Sequence, residues 1–426
     1  MSNRQQPFKE KMLQLQHPID INRAHLALKN MVLQTPLQYH RRLSEQWEAG
    51  VYLKREDLQI VRSYKIRGAY NLMARLTPEQ QAQGVVCASA GNHAQGVAFC
   101  CKTLGIRGVI YMPAITPRQK INQVKMFGGD QVEIVLVGDT FDDCQAQAIR
   151  FAQQHGRTFV PPFDHPAIIE GQGTVGKEIL EQLDNIDFVF VPVGGGGLCA
   201  GLGHYFKTYS PKTKIIGVEP LGAPSMKQAL EHGNPVTLNS IQRFVDGAAV
   251  KRVGDITFSI CRDVLTDVLL APEGKICSMI LKLYNEDAIV AEPAGALALA
   301  ALDQYAPHIK GKRVVCILSG GNNDIDRMQE IKERSLLYEG LKHYFIVRFA
   351  QRPGALKEFV NHILGANDDI VRFEFIQKNN KETGPALIGI EVKAQPDYHA
   401  LVGRMNEYKL NYTEVNPNEN LFEYLV

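Results

Sequence analysis

Four short segments of this 426-residue chain combine residue types and spacings that could do chemistry. Lys65 stands inside Ser63-Tyr64-Lys65-Ile66-Arg67-Gly68-Ala69. Ser89-Ala90-Gly91-Asn92-His93 follows the apolar stretch Val85 to Ala88, and Ser319-Gly320-Gly321-Asn322 follows Arg313 to Leu318. Gly194-Gly195-Gly196-Gly197 lies between Phe188-Val189-Phe190-Val191-Pro192-Val193 and Leu198-Cys199-Ala200-Gly201-Leu202-Gly203. That last arrangement reads as strand, loop, helix. Glycines there let backbone N–H groups close on an anion at a helix N-terminus, where the macrodipole helps. The guest expected is a phosphate; a plain turn would need fewer glycines.

Whose phosphate it is decides the chemistry. Gly195 to Ala200 satisfies the G-x-G-x-x-[G/A] dinucleotide template, and Glu219 ends the next strand, Lys214 to Val218, 24 residues past Gly195, about where a Rossmann acid would meet a ribose. An NAD-dependent oxidoreductase is therefore one reading. It leaves Lys65 and the two Ser/Gly/Asn loops without a task. A pyridoxal phosphate enzyme uses all four segments: a lysine to bond the aldehyde, a glycine-lined helix N-terminus for one phosphate, and polar groups for the pyridine nitrogen and the ring's 3′ oxygen. Desolvation of Lys65 would lower its pKa toward a nucleophilic amine.

The elements that must carry these loops form an α/β pattern from about residue 20 to 330. Val85–Ala88, Gly108–Met112, Val132–Val137, Phe188–Val193, Lys214–Val218 and Arg313–Leu318 read as strands, and stretches such as Asp142 to Gln154 as helices. The rhythm predicts parallel sheets with helical crossovers, with ligands at the C-terminal strand ends. At least three of the four loops lie at such ends and can converge on one crevice. Past Ser335 the rhythm changes. Strands at His343–Phe349, Ile370–Gln377, Ala386–Val392 and Tyr412–Val415, with helices at Gly354–Leu364 (Pro353 at N1) and Asp397–Tyr408, give the β-α-β-β-α-β order of a ferredoxin-like domain. The expected division is residues 1–335, with a smaller subdomain inserted at about 60–160, and residues 336–426.

Composition narrows the class. The chain is 45% hydrophobic and 22% charged with a formal net charge of +2, which favours neither nucleic acid nor a membrane surface. Its 8 cysteines lack metal-ligand spacing and read as reduced thiols of a cytoplasmic protein. Met1 to Gln16 is polar without the apolar core of a signal peptide, and no apolar stretch is long enough to span a bilayer.

As a set, the four segments resemble the motifs of fold-type II pyridoxal phosphate enzymes, most closely the threonine dehydratase (threonine ammonia-lyase) family. Asp246-Gly247-Ala248-Ala249-Val250 and Glu292-Pro293-Ala294-Gly295-Ala296 resemble further family segments in the expected order. The likeness covers roughly residues 20 to 330. The C-terminal stretch with Gln351-Arg352-Pro353-Gly354-Ala355-Leu356 resembles the ACT-like regulatory domain of the biosynthetic form, with room for one such unit.

The resemblance implies two open parallel-sheet subdomains plus an α+β ACT-like domain. It implies β-elimination of L-threonine to 2-oxobutanoate and ammonia, the first step of isoleucine biosynthesis, with L-serine as a secondary substrate. Lys65 would bond the cofactor and later move the Cα proton. Gly194, Gly195, Gly196, Gly197 and Leu198 would hold the phosphate, Asn92 the ring's 3′ oxygen, Ser319 the pyridine nitrogen and Ser89 the substrate carboxylate. A serine at the ring nitrogen cannot keep it protonated as an aspartate would, which favours loss of the β-hydroxyl over transamination. Tyr64 stands where the family commonly has phenylalanine. Isoleucine or valine would act on the C-terminal domain, and a homotetramer is implied. Serine racemase, or a broader serine/threonine dehydratase, is the neighbouring reading. Related serine racemases place a cation at positions occupied here by Glu219, Ala223 and Ser225; the aspartate is missing, and no metal is assigned. His93 is expected to be a structural loop residue. Glu292 is left open between a wall of the site and a helix start.

Overall fold

A computed structural model of the chain describes residues 18–375, 381–418 and 421–422. The readings of Met1–Gln16 and of the strand end at Ile376–Gln377 lie outside the described residues. The chain divides into two compact units, one reaching to Ile325 and one running from Asp326.

The strands of the first unit are β1 (Leu37–Tyr39), β2 (Gly50–Arg55), β3 (Val85–Ala88), β4 (Gly108–Met112), β5 (Val132–Leu136), β6 (Thr158–Phe159), β7 (Phe188–Pro192), β8 (Lys214–Pro220), β9 (Leu265–Ala271) and β10 (Arg313–Leu318). They form two sheets, ordered β1-β2-β10-β7-β8-β9 and β5-β4-β3-β6. Every pairing is parallel except β1 with β2. The smaller sheet is built between β2 and β7, so the chain leaves the larger sheet and returns to it. All residues of β3, β4 and β7 are buried. That is why these strands read as unbroken apolar runs: helices cover both faces of a parallel sheet.

β7 is followed by β8 on one side and flanked by β10 on the other, so the chain's direction of winding reverses there. Ligands of open α/β sheets bind outside strand C-termini at such a reversal. Gly194–Gly197 follows β7 and Ser319 follows β10. The helix Pro166–Gln182 runs through the interior against the helix Lys65–Met73. At Gly171 a Cβ would stand 2.5 Å from the Arg67 carbonyl oxygen, so only glycine permits this approach. The close crossing fixes the helix that begins at Lys65.

The second unit holds the helix Met328–Tyr338 and an antiparallel sheet of β11 (Lys342–Ala350), β12 (Asp369–Phe375), β13 (Thr383–Glu391) and β14 (Tyr412–Glu414), ordered β12-β13-β11-β14. The helices Ala355–His362 and Gln395–Glu407 pack on it through Phe345, Val347, Phe359, Ile388, Leu401 and Met405. This is the expected ferredoxin-like order. Pro353 is not at N1, contrary to expectation. Gly354 is the N-cap, with φ of +86°, a conformation that costs glycine least, and the helix starts one residue later.

Candidate active site

The segment leading to Lys65 is pinned to the loop after β10. Ser63 pairs with Gly320, Tyr64 N–H donates to the Ser319 carbonyl at 3.3 Å, and Gly321 N–H donates to the Arg62 carbonyl at 2.9 Å. Lys65 then opens a helix that enters the core. Its Nζ donates to the Pro162 carbonyl at 2.9 Å. Burial lowers its pKa to about 8, against the pull of Glu292. About a tenth of such an amine is neutral at pH 7, against well under a thousandth of an ordinary lysine.

The first turn of that helix is anchored by an ion network the sequence reading missed. Arg67 has no exposed surface. Its guanidinium donates to both Glu56 oxygens at 2.8 Å, to both Glu178 oxygens at 2.6 and 2.9 Å, and to Thr174 Oγ1 at 3.0 Å. Lys54 Nζ reaches Glu178 at 2.6 Å. Burial, opposed and outweighed by Arg67, leaves the Glu56 carboxyl below its usual range. The motif contained Arg67, but spacing alone did not reveal partners at positions 56 and 178.

Pro162, which receives Lys65, adjoins Phe163, and Phe163 is the wall beneath the glycine run. A Cβ on Gly195 would overlap the Phe163 ring, and one on Gly194 would stand 3.0 Å from the Ala248 backbone. Gly196 has φ of +91°. The carbonyl of Gly195 is tied back by Thr257 Oγ1 at 2.6 Å and that of Gly196 by Cys261 Sγ at 3.6 Å. The helix Gly197–Tyr209 that follows has no side-chain cap. Its first N–H groups, with about half a positive charge from the macrodipole, form a cradle for an anion. Leu198 contributes its N–H there, while its side chain is buried in the core.

Ser319 is buried at the end of β10, and its Oγ donates to the Ala294 carbonyl at 3.1 Å. Asn92 begins the helix Asn92–Leu104, whose N-cap Gly91 offers no side chain. Asn92 Oδ1 accepts from Asn322 Nδ2 at 2.7 Å, and Asn92 Nδ2 donates to Glu292 Oε1 at 2.5 Å. Ser89 Oγ accepts from Gly91 N–H at 3.2 Å. His93 Nε2 lies 2.9 Å from the Val160 carbonyl, and burial together with Lys65 lowers its pKa to about 3. It holds its loop as a neutral imidazole.

Glu219 does not present an acid to a ribose. Its carboxylate accepts from Met226 N–H at 2.7 Å and Lys227 N–H at 2.9 Å, capping the helix Ser225–His232 from the end of β8. The dinucleotide match of the glycine run is thus left without its second half. Among the described residues, no group of three His, Cys, Asp or Glu side chains is placed to hold a metal ion, and no helix is long and apolar enough to cross a membrane.

Lys65, the Gly194–Gly197 run, Asn92 and Ser319 are thereby linked through neighbouring contacts near the strand C-terminal ends. A primary amine of lowered pKa, an uncapped helix start where side chains would not fit, an amide donor and a neutral hydroxyl are a donor set that fits pyridoxal phosphate. The sequence model of the pyridoxal-phosphate dependent enzyme family matches residues 28–320, and that of the C-terminal regulatory domain of threonine dehydratase matches residues 333–425. The biosynthetic L-threonine dehydratase IlvA of Halalkalibacterium halodurans is 58% identical over 408 residues, covering 96% of this chain and 98% of the relative. The processed form of threonine deaminase isoform 2 from Solanum lycopersicum aligns with a TM-score of 0.71 and 42% identity over 74% of this chain and 92% of that one. Maize serine racemase aligns with a TM-score of 0.69 and 30% identity, over 75% and 98% of the two chains. The chain belongs to the threonine dehydratase family of pyridoxal-phosphate-dependent enzymes.

Proposed function

We propose that this chain converts L-threonine to 2-oxobutanoate and ammonia, with L-serine as a secondary substrate, at the start of isoleucine biosynthesis. The observation that carries the reading is the partly buried Lys65 amine beside the glycine cradle, in a chain 58% identical to a named biosynthetic threonine dehydratase. When bound, pyridoxal phosphate supplies the electron withdrawal that makes the substrate Cα–H acidic. Lys65 would hold the cofactor covalently and carry the Cα proton; its lowered pKa supports both tasks. The N–H groups of Gly194 to Leu198 would hold the phosphate, and Asn92 would donate to the ring's 3′ oxygen. Ser319 would face the ring nitrogen as a neutral group that holds no proton there, which favours departure of the β-hydroxyl. Ser89 and the uncapped start of the helix Asn92–Leu104 would receive the substrate carboxylate. The Cβ hydroxyl would leave as water, its added proton balanced by the one taken from Cα, and the released enamine takes up one water to give the 2-oxo acid and ammonia, so the overall conversion balances.

The ferredoxin-like unit is proposed as a sensor of isoleucine or valine, and a cytoplasmic homotetramer as the working form. What supports a sensor is the match of residues 333–425 to a regulatory domain. The likeness to maize serine racemase keeps serine chemistry as a second reading, since one substrate methyl is worth only about 1–3 kcal/mol in a pocket. One assay tests the lyase and the sensor: 2-oxo acid release from threonine and from serine, with and without saturating isoleucine or valine. Threonine turnover inhibited by isoleucine is expected. Absence of 2-oxobutanoate would refute the lyase, and turnover indifferent to both effectors would refute the sensor. Covalent fixation of the cofactor by borohydride, lost in Lys65→Ala, separates this chemistry from NAD-dependent oxidoreduction.

A further inference from the structure

Glu292 is buried, and its backbone is the N-cap of the helix Pro293–Ala300, yet its carboxyl makes no cap to that helix. It turns instead toward Asn92, whose Nδ2 donates to it at 2.5 Å. The surrounding backbone makes room for it. A Cβ on Gly320 would overlap Glu292 Oε1, and one on Gly247 would stand 3.7 Å from it. On the other side of Asn92, Oδ1 is taken by Asn322 Nδ2, which also donates to the Val61 carbonyl at 2.9 Å. The Asn92 amide therefore cannot turn over without losing both bonds. One of its two Nδ2 protons is held by Glu292, and the second is the only one left to give.

We propose that Glu292 is a positioning residue of this site: its carboxyl fixes the Asn92 amide so that the second Nδ2 proton is presented to the 3′ oxygen of the pyridine ring, and its ionisation modulates that hydrogen bond. The proposal rests on the assignment of Asn92 to that oxygen made above. An ionised acceptor holds an amide N–H about twice as strongly as a neutral one, so loss of the charge changes what Asn92 offers the ring. The groups that face Glu292 are Asp246 from the 244–250 loop, Lys120 from the helix Arg118–Gly128, Lys65, and the Tyr64 phenol. Burial, helped by Asp246, raises the carboxyl's pKa to about 7, while Asn92, Lys120 and Lys65 pull it back. Burial and Glu292 push the Tyr64 phenol far up, so it stays neutral throughout. With the Lys65 amine bonded to the cofactor in the loaded protein, the change of charge belongs to Glu292 and falls within the working pH range.

The test uses the cofactor-loaded protein, its Glu292→Gln and Glu292→Ala variants, and two readouts besides turnover. The first is the visible absorption of the bound cofactor titrated from about pH 5.5 to 9; the second is the affinity of the stripped proteins for pyridoxal phosphate. The wild-type band should show a step near pH 7. Glu292→Gln, which keeps the shape and a neutral acceptor, should hold the cofactor within about threefold of wild type but lose the step. Glu292→Ala should weaken the cofactor about tenfold, as expected for one hydrogen bond set adrift. A step that persists in Glu292→Gln, a wild-type band without a step, or an alanine variant that binds as tightly as wild type each overturns the proposal. Failure of the underlying assignment looks different: Asn92→Ala would then bind pyridoxal phosphate as tightly as wild type, and failure of the reading of the whole site would leave borohydride fixing no cofactor at Lys65 in the wild-type protein.

Discussion

Arg67→Ala should destabilise the first unit far more than an ordinary core truncation and should loosen Lys65 with it. In the wild type, Arg67 satisfies Glu56 and Glu178 with four charge-assisted bonds of 2.6 to 2.9 Å, all without solvent exposure at the guanidinium. Removing it leaves two buried carboxylates facing Lys54 alone. Breaking a buried pair in this way costs about 3–5 kcal/mol, a large part of a marginal stability of about 5–15 kcal/mol. At roughly 2–4 °C per kcal/mol for a unit of this size, the unfolding midpoint should fall by about 10 °C. Differential scanning calorimetry of the cofactor-loaded protein measures it. The pH dependence gives a second check with a definite sign. In the wild type, burial and the outweighing pull of Arg67 leave Glu56 below its unfolded pKa of about 4.3, so its contribution is fully present above that pH and lost on further acidification. Without Arg67, burial dominates and the folded pKa of Glu56 rises above the unfolded value, so the variant loses stability as pH rises through that interval. The gap between the two proteins should therefore narrow from pH 7 toward about pH 5. A midpoint within about 2 °C of wild type, or a gap that widens on acidification, would refute the network's role. Arg67→Lys should fall between, because an ammonium keeps the charge but not the fork.

The cofactor-stripped protein should recombine with pyridoxal phosphate at a rate that climbs with pH about a midpoint near 8, because the free amine of Lys65 is the attacking form; rapid-mixing absorbance measures this, and a midpoint near 10 would contradict the burial argument. Gly195→Ala should cost about 1–3 kcal/mol of stability and at least tenfold in cofactor affinity, through overlap with the Phe163 ring. Phe163→Leu in the same chain should recover part of both, and thermal melting with cofactor titration reads the pair. Glu219→Ala should lower stability by about 1–2 kcal/mol with no loss of cofactor, since it removes a cap on the helix Ser225–His232 and nothing else. A denaturation curve beside a cofactor titration separates the two effects.

What was legible in the sequence follows from how each element is held. Strands β3, β7 and β10 lie between covered faces and therefore read as apolar runs ending at Gly or Ser loops. Each such loop sits at a strand C-terminus, so naming the strands also names the loops that can meet. β2 was missed because it ends in Lys54-Arg55, residues that look like surface and are buried by ion pairing, Lys54 with Glu178 and Arg55 with Asp57. β9, Leu265-Thr266-Asp267-Val268-Leu269-Leu270-Ala271, has no two-residue alternation to separate it from a helix. The same limit governs the site. Motif spacing singled out Lys65, Asn92 and Ser319, because the residue types around each are local to a loop. It could not supply the partners of Arg67 or the bond from Asn92 to Glu292, which join positions 11, 111 and 200 residues apart in the chain. Charge offered a usable clue at both places. A carboxylate or guanidinium inside an otherwise apolar or glycine-rich segment is stable only if something ionic or polar meets it. Glu292 between Ala291 and Pro293, and Arg67 between Ile66 and Gly68, are such residues. In this chain each meets its partner beside a residue that would touch the cofactor, so burial of charge and placement of the site are one problem with one solution.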